Sequence, residues 1–135
     1  MYKAVLFFLA GVFGATATDV FVLIFGTLPV QDVIGVEFAP DLDLISLLMD
    51  LAFGGLWGLL FFLPFLNDSP IIKGAIISLF PFAFHMLMKD YLFGNLNIAK
   101  SDYYVPVIAL IFAFDIFWGL MSGTFLAFID GAKKT

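Results

Sequence analysis

Four side chains carry the chemistry that this sequence could do: Asp19, Asp50, His85 and Asp115. Each falls inside a long apolar run, where an ionisable group costs a few kcal/mol on insertion scales and therefore turns toward the protein interior. Carboxylates crowded in low-dielectric surroundings share protons, and an imidazole exchanges them near neutrality, so the set is a candidate proton relay or cation pocket. Three Asp and one His are also adequate ligands for a divalent metal, while Met49, Met86 and Met88 at nearby depth would suit Cu(I). The metal reading is the weaker one, because His85-Met86-Leu87-Met88 is no established ligand motif and adjacent residues on a helix point in different directions. No other cofactor is expected. A bis-His haem is excluded by the single His.

The faces on which these groups lie agree. Asp19 follows Ala15 and Gly11 at four-residue spacing, Asp50 precedes Gly54 and Gly58, and Asp115 precedes Gly119 and Gly123. Such stripes of small residues are where membrane helices approach closely, so Gly11, Gly54, Gly58, Gly119 and Gly123 are expected at helix contacts. His85 shares a stripe with Ser78, Pro81 and Lys89. All four ionisable side chains are accordingly expected to point into a common polar pocket. Thr16, Thr18 and Ser122 are placed to hydrogen-bond the carboxyls of Asp19 and Asp115, and Lys89 to pair with Asp50. No Gly-rich phosphate loop, nucleophile elbow, H-E-x-x-H or Cys/His cluster occurs, which argues against an enzyme. The complete absence of Arg removes bidentate recognition of phosphate.

The elements that must position these groups follow from composition. The 135 residues are 63% hydrophobic and 13% charged, with nineteen Phe and no Cys. A soluble domain carries about 25% charged residues, so the chain has half the charge needed to cover a water-facing surface. The net charge of −5 excludes a nucleic-acid binder, which needs a basic stripe. What remains is an all-α integral membrane protein, a four-helix transmembrane bundle forming a single transmembrane domain over residues 1–135. A membrane span takes ~20 apolar helical residues, and four segments qualify: about 4–26, 44–66, 71–88 and 104–129. Pro40, Asp41 and Asp43 precede the second, Asn67-Asp68-Ser69-Pro70 separates it from the third, and Gly94-Asn95 and Lys100-Ser101-Asp102 precede the fourth. At about 1.5 Å per residue, all four ionisable groups lie ~21–24 Å from the edge that carries the termini, and so at one depth.

Lys3, the apolar run 5–13 and Ala15-Thr16-Ala17 together have the form of a secretory signal peptide. The apolar character resumes at Val20 and reaches Phe25, long enough to span, which favours a retained helix. Four spans put both termini on one side with Lys3, Lys73, Lys133 and Lys134, against Lys89 and Lys100 on the other, whose 27–43 loop holds Asp32, Glu37, Asp41 and Asp43. The bias predicts cytoplasmic termini in a plasma (cell inner) membrane. Tyr91, Tyr103 and Tyr104 read as interfacial anchors, and Trp57 and Trp118 as packing bulk.

Residues 52–60 (Ala-Phe-Gly-Gly-Leu-Trp-Gly-Leu-Leu) align with 113–121 (Ala-Phe-Asp-Ile-Phe-Trp-Gly-Leu-Met), which raises a two-hairpin repeat against chance matching of common membrane residues. Gly54-Gly55-Leu56-Trp57-Gly58-Leu59-Leu60-Phe61, Lys73-Gly74 and Phe117-Trp118-Gly119-Leu120 loosely resemble small four-helix bacterial inner-membrane proteins, a likeness that implies a fold and no activity. The expected function is a non-catalytic accessory or structural subunit of a larger membrane complex, partnered by the lipid bilayer and by other membrane subunits or further copies of itself. The alternative is a small oligomeric proton or cation carrier using the carboxylate pocket.

Overall fold

The computed structural model describes residues 2–28, 43–93 and 104–132, and all regular structure among them is helical. Helix α1 spans Tyr2–Gly26 and α2 spans Leu44–Gly58, continued by a 3-10 turn at Leu59–Phe62. Helices α3 (Pro70–Ile77) and α4 (Leu79–Phe93) together make the third span, and α5 covers Tyr104–Ala132. Four stretches are long and apolar enough to cross a membrane: Tyr2–Gly26, Leu44–Phe62, Pro70–Met88 and Val105–Gly131, with mean hydropathies of 2.0, 1.9, 1.8 and 2.0. Each is apolar on every side, as expected where lipid rather than water bathes the outer face.

The helices depart from the sequence expectation in several places, and proline accounts for two of them. The second span ends at Phe62 rather than at residue 66, because Leu63 precedes Pro64 and the proline ring disfavours helical backbone there. Leu63 accordingly has φ −56° and ψ 134°, an extended conformation. The third span is interrupted at Ser78. Pro81 has no N–H to offer the Ile77 carbonyl, and its ring crowds that group, so the helix breaks into α3 and α4. The ladder resumes at once, with Ser78 N–H donating to the Gly74 carbonyl and Phe82 N–H to that of Ser78. At its start Pro70 occupies the first turn, where a missing N–H costs nothing. The fourth span runs past residue 129 to Ala132.

The spans run up and down in sequence around the bundle, and three of the four seams are closed by small residues. A side chain on Gly11 would strike the Gly54 carbonyl and the Cα of Gly58, which seats α1 on α2. One on Gly74 would strike the Gly119 carbonyl, and one on Gly123 that of Pro70, which seats α3 on α5. One on Gly14 would strike the Ser122 hydroxyl and the Trp118 carbonyl, which seats α1 on α5. The fourth seam, between α2 and α4, is filled by rings instead: Phe84 packs edge-on against Trp57 at 5.5 Å and tilted against Phe53 at 6.4 Å. Phe61, the buried residue of the 3-10 turn, lies 6.1 Å from Phe7 and shares the core with Ala10, Ile77 and Leu126.

Candidate functional site

The ionisable groups converge from four spans toward the end of the bundle away from the 63–69 turn. His85 on α4 and Asp115 on α5 are in contact, Nδ1 to Oδ2 at 3.0 Å. Asp50 on α2 lies within electrostatic reach of His85 and of Asp19 on α1. The succession is therefore Asp19, Asp50, His85, Asp115, one group from each span. Burial within the chain is unequal, contrary to the expectation that all four point inward. Asp115 keeps 9% of its side-chain surface and His85 keeps 49%; Asp19 is half-buried and Asp50 exposed. The cause is the α2/α4 seam. Its aromatic filling holds the two backbones farther apart than glycine does at the other seams, and leaves Asp50 and His85 on its rim.

The hydroxyls expected beside the acids are committed elsewhere. Thr16 donates to the Val12 carbonyl (3.0 Å), Thr18 to that of Gly14 (2.9 Å) and Ser122 to that of Trp118 (2.8 Å). Each hydroxyl has one proton and spends it on the preceding turn of its own helix, the local bond that Ser and Thr make wherever a helix interior is starved of water. The Lys89 side chain lies outside the described residues, as do the 29–42, 94–103 and 133–135 segments, with Asp32, Glu37, Asp41, Lys100, Lys133 and Lys134 among the charges used for orientation. Among the described residues no three His, Asp or Glu side chains come together as a metal-binding group. Met49 and Met88 are exposed and Met86 is half-buried.

Two residues read from sequence as ordinary hold the bundle by specific bonds. Trp118, expected to be bulk, is buried and donates its indole N–H to the Gly11 carbonyl at 3.0 Å. The signal was its place on the stripe shared with Asp115, Ser122 and Gly119, a face too crowded for a ring without a purpose there. Lys73, counted only as an edge charge, is buried. Its ammonium donates to the Leu63 carbonyl at 2.5 Å and to Asn67 Oδ1 at 2.7 Å, with the Phe65 ring 5.3 Å away. It thereby satisfies a carbonyl at the end of the second span and fastens the 63–69 turn to α3.

An apolar groove of about 340 Å³ on the α1/α5 face, between Phe13, Val20, Phe117 and Met121, offers only the already bonded Thr16 hydroxyl and so little for chemistry. The polar features of the described residues thus divide into interior groups bonded within the chain, Lys73, Ser78, Asp115, Trp118 and Ser122, and the less buried Asp19, Asp50 and His85. No family model, curated protein or solved structure matches the chain.

Proposed function

We propose that the chain is a non-catalytic subunit or assembly partner of a larger membrane protein complex, docked along the α2/α4 seam. One observation carries this reading: Asp50 and a half-exposed His85 lie on the outside of the bundle, in the interior of helices long enough to span a membrane. An ionisable group facing hydrocarbon is costly, and the cost is removed when another protein segment covers it. Tight internal seams and a polar outer edge are what a piece of a larger assembly needs. On this reading both termini are cytoplasmic in the cell inner membrane, since Lys3, Lys133 and Lys134 share a side.

A photo-crosslinking residue at Met49 or Leu87, both exposed and flanking the rim, should join the chain to one defined membrane partner or to a second copy. The same residue at Val5 or Phe128, also exposed but remote, should give no such product. Adducts of equal yield at all four positions, or a chain that purifies in mild detergent alone and as a monomer, would count against the proposal.

A second reading is a proton or cation carrier, favoured by the run of four ionisable groups, one per span. It requires flux in reconstituted vesicles that Asp19→Asn and Asp115→Asn abolish. The two-hairpin repeat also gains support, because Gly58 meets Gly11 as Gly119 meets Gly74, in the register in which 52–60 aligns with 113–121. The tryptophans of that alignment differ in use: Trp118 bonds Gly11, while Trp57 packs on Phe84.

A further inference from the structure

The third span is built as two half-helices held in different ways. Below the break, α3 lies against α5 through backbone contact, Gly74 on Gly119 and Pro70 on Gly123, which fixes it rigidly. Above the break, α4 makes far fewer close approaches to α5. What joins it there is the His85–Asp115 contact, together with the Phe82 and Phe112 rings edge-on at 5.0 Å. On its other side, among the described residues, α4 meets α2 through the Phe84 ring contacts with Phe53 and Trp57. Between the halves, Pro81 removes one of the helix bonds that would stiffen the junction, the one to the Ile77 carbonyl.

We propose that α4 is a hinged half-helix latched to α5 by a proton held at the His85–Asp115 contact, so that losing the proton opens the α2/α4 seam. The charged groups facing His85 set the direction. With the imidazole protonated, a cation sits between Asp115 on α5 and Asp50 on α2, and Asp50 in turn faces Asp19 on α1. The Nδ1–H to carboxylate bond is then charge-assisted, roughly twice as strong as a neutral one. With the imidazole neutral, that bond weakens and the carboxylates face one another with no cation between them. Both changes push α4 away from α2 and α5, and the Pro81 hinge lets it move while α3 stays seated. The latch therefore closes in acid and opens toward alkaline pH, across the range in which imidazoles titrate, about pH 5–8.

The chain has no Cys, so cysteine pairs for spin labels can be added cleanly. Labels replacing Leu48 on α2 and Leu87 on α4, both exposed, report on the seam, and labels replacing Ile72 on α3 and Phe128 on α5 report below the hinge. In lipid nanodiscs the 48–87 distance should lengthen by about 2 Å or more between pH 5 and pH 8, the scale of helix shifts in known switches, while the 72–128 distance stays fixed. His85→Gln keeps a hydrogen-bonding group but removes the imidazole, so the 48–87 distance should become independent of pH; Asp115→Asn keeps the imidazole but removes the carboxylate that latches it, so the change should shrink. Pro81→Ala restores the missing helix bond and should shrink the change while leaving its midpoint in place. A wild-type 48–87 distance that does not change with pH overturns the proposal. So does a change that persists in full in His85→Gln or Asp115→Asn, and one that survives intact in Pro81→Ala removes the hinge from it.

Discussion

The indole N–H of Trp118 donates to the backbone carbonyl of Gly11 at 3.0 Å, joining residues 107 positions apart. The bond crosses from the last span to the first and, with the Gly14 contact on Trp118 and Ser122, links the two helix pairs, α1 with α2 and α3 with α5. Its acceptor belongs to the residue whose missing side chain lets α1 meet α2. One residue therefore serves two seams: Gly11 admits α2 by having no Cβ and holds α5 by its carbonyl.

Replacing Trp118 by Phe keeps most of the ring and removes the donor. The loss should be about 1 kcal/mol, since interhelical hydrogen bonds in membranes average near 0.6 and reach about 1.7. Trp118→Ala also empties a buried ring site and should cost roughly 3–5 kcal/mol. Helicity followed during SDS titration in mixed micelles would order the two. Equal losses would mean that the ring volume carries nothing and only the N–H matters.

The glycines separate into grades by what a methyl group would meet. Gly11→Ala and Gly74→Ala place Cβ against the backbone of Gly54 and Gly119 respectively, which cannot turn aside, and the helices must part. Each should cost at least about 2 kcal/mol, as overpacked core sites do. Gly55→Ala meets only the Phe8 ring, which can shift, so its cost should be smaller. Gly131→Ala meets nothing within 4 Å and should gain up to ~1 kcal/mol from helix propensity. The same micelle titration tests the order, and a Gly131→Ala loss as large as that of Gly11→Ala would contradict it.

How much of this was readable beforehand depends on the distance over which each feature is decided. Span number and placement come from local apolarity, and four spans follow directly from runs such as 44–62. The glycine stripes were legible too, because spacing on one helix already says which face is small. Partners across helices were not. Nothing local in Thr16 or Ser122 tells whether the hydroxyl serves a distant carboxyl or its own helix, and in a dry interior the nearer carbonyl wins. Nor does the sequence near Asp50 reveal that its seam is filled by Phe53, Trp57 and Phe84, with Asp50 left exposed within the chain. The bonds of Lys73 are not legible either, because its acceptors, Leu63 and Asn67, are brought to it only once Pro64 has ended the second span.

Leu66 has φ 49°, the left-handed region that costs a residue with a Cβ roughly 1–2 kcal/mol. It is partly exposed, so its side chain returns little of that by burial. Leu66→Asn should raise stability by up to about 1 kcal/mol, because Asn tolerates this conformation. Leu66→Gly should gain less, since glycine surrenders more chain freedom on folding. A loss of stability in both variants would show that the Leu66 side chain packs to more purpose than its exposure implies.

The His85–Asp115 contact is unequal in what each removal leaves behind. His85→Ala strands a carboxyl with 9% of its side chain accessible, and Asp115→Ala strands an imidazole with 49% accessible. A buried group that loses its partner carries its full desolvation penalty, about 1–3 kcal/mol and more if charged, while the imidazole on the rim still has Asp50 within electrostatic reach. His85→Ala should therefore be the costlier of the two, although His85 is the more exposed residue and burial alone would rank them the other way. The double variant should cost less than the sum of the singles, with a coupling of about 0.5–3 kcal/mol as found for contacting residues. Four micelle titrations complete the cycle. Additive losses would mean that the two groups touch without depending on one another, and a larger loss for Asp115→Ala would mean that the carboxyl carries bonds beyond the one to His85.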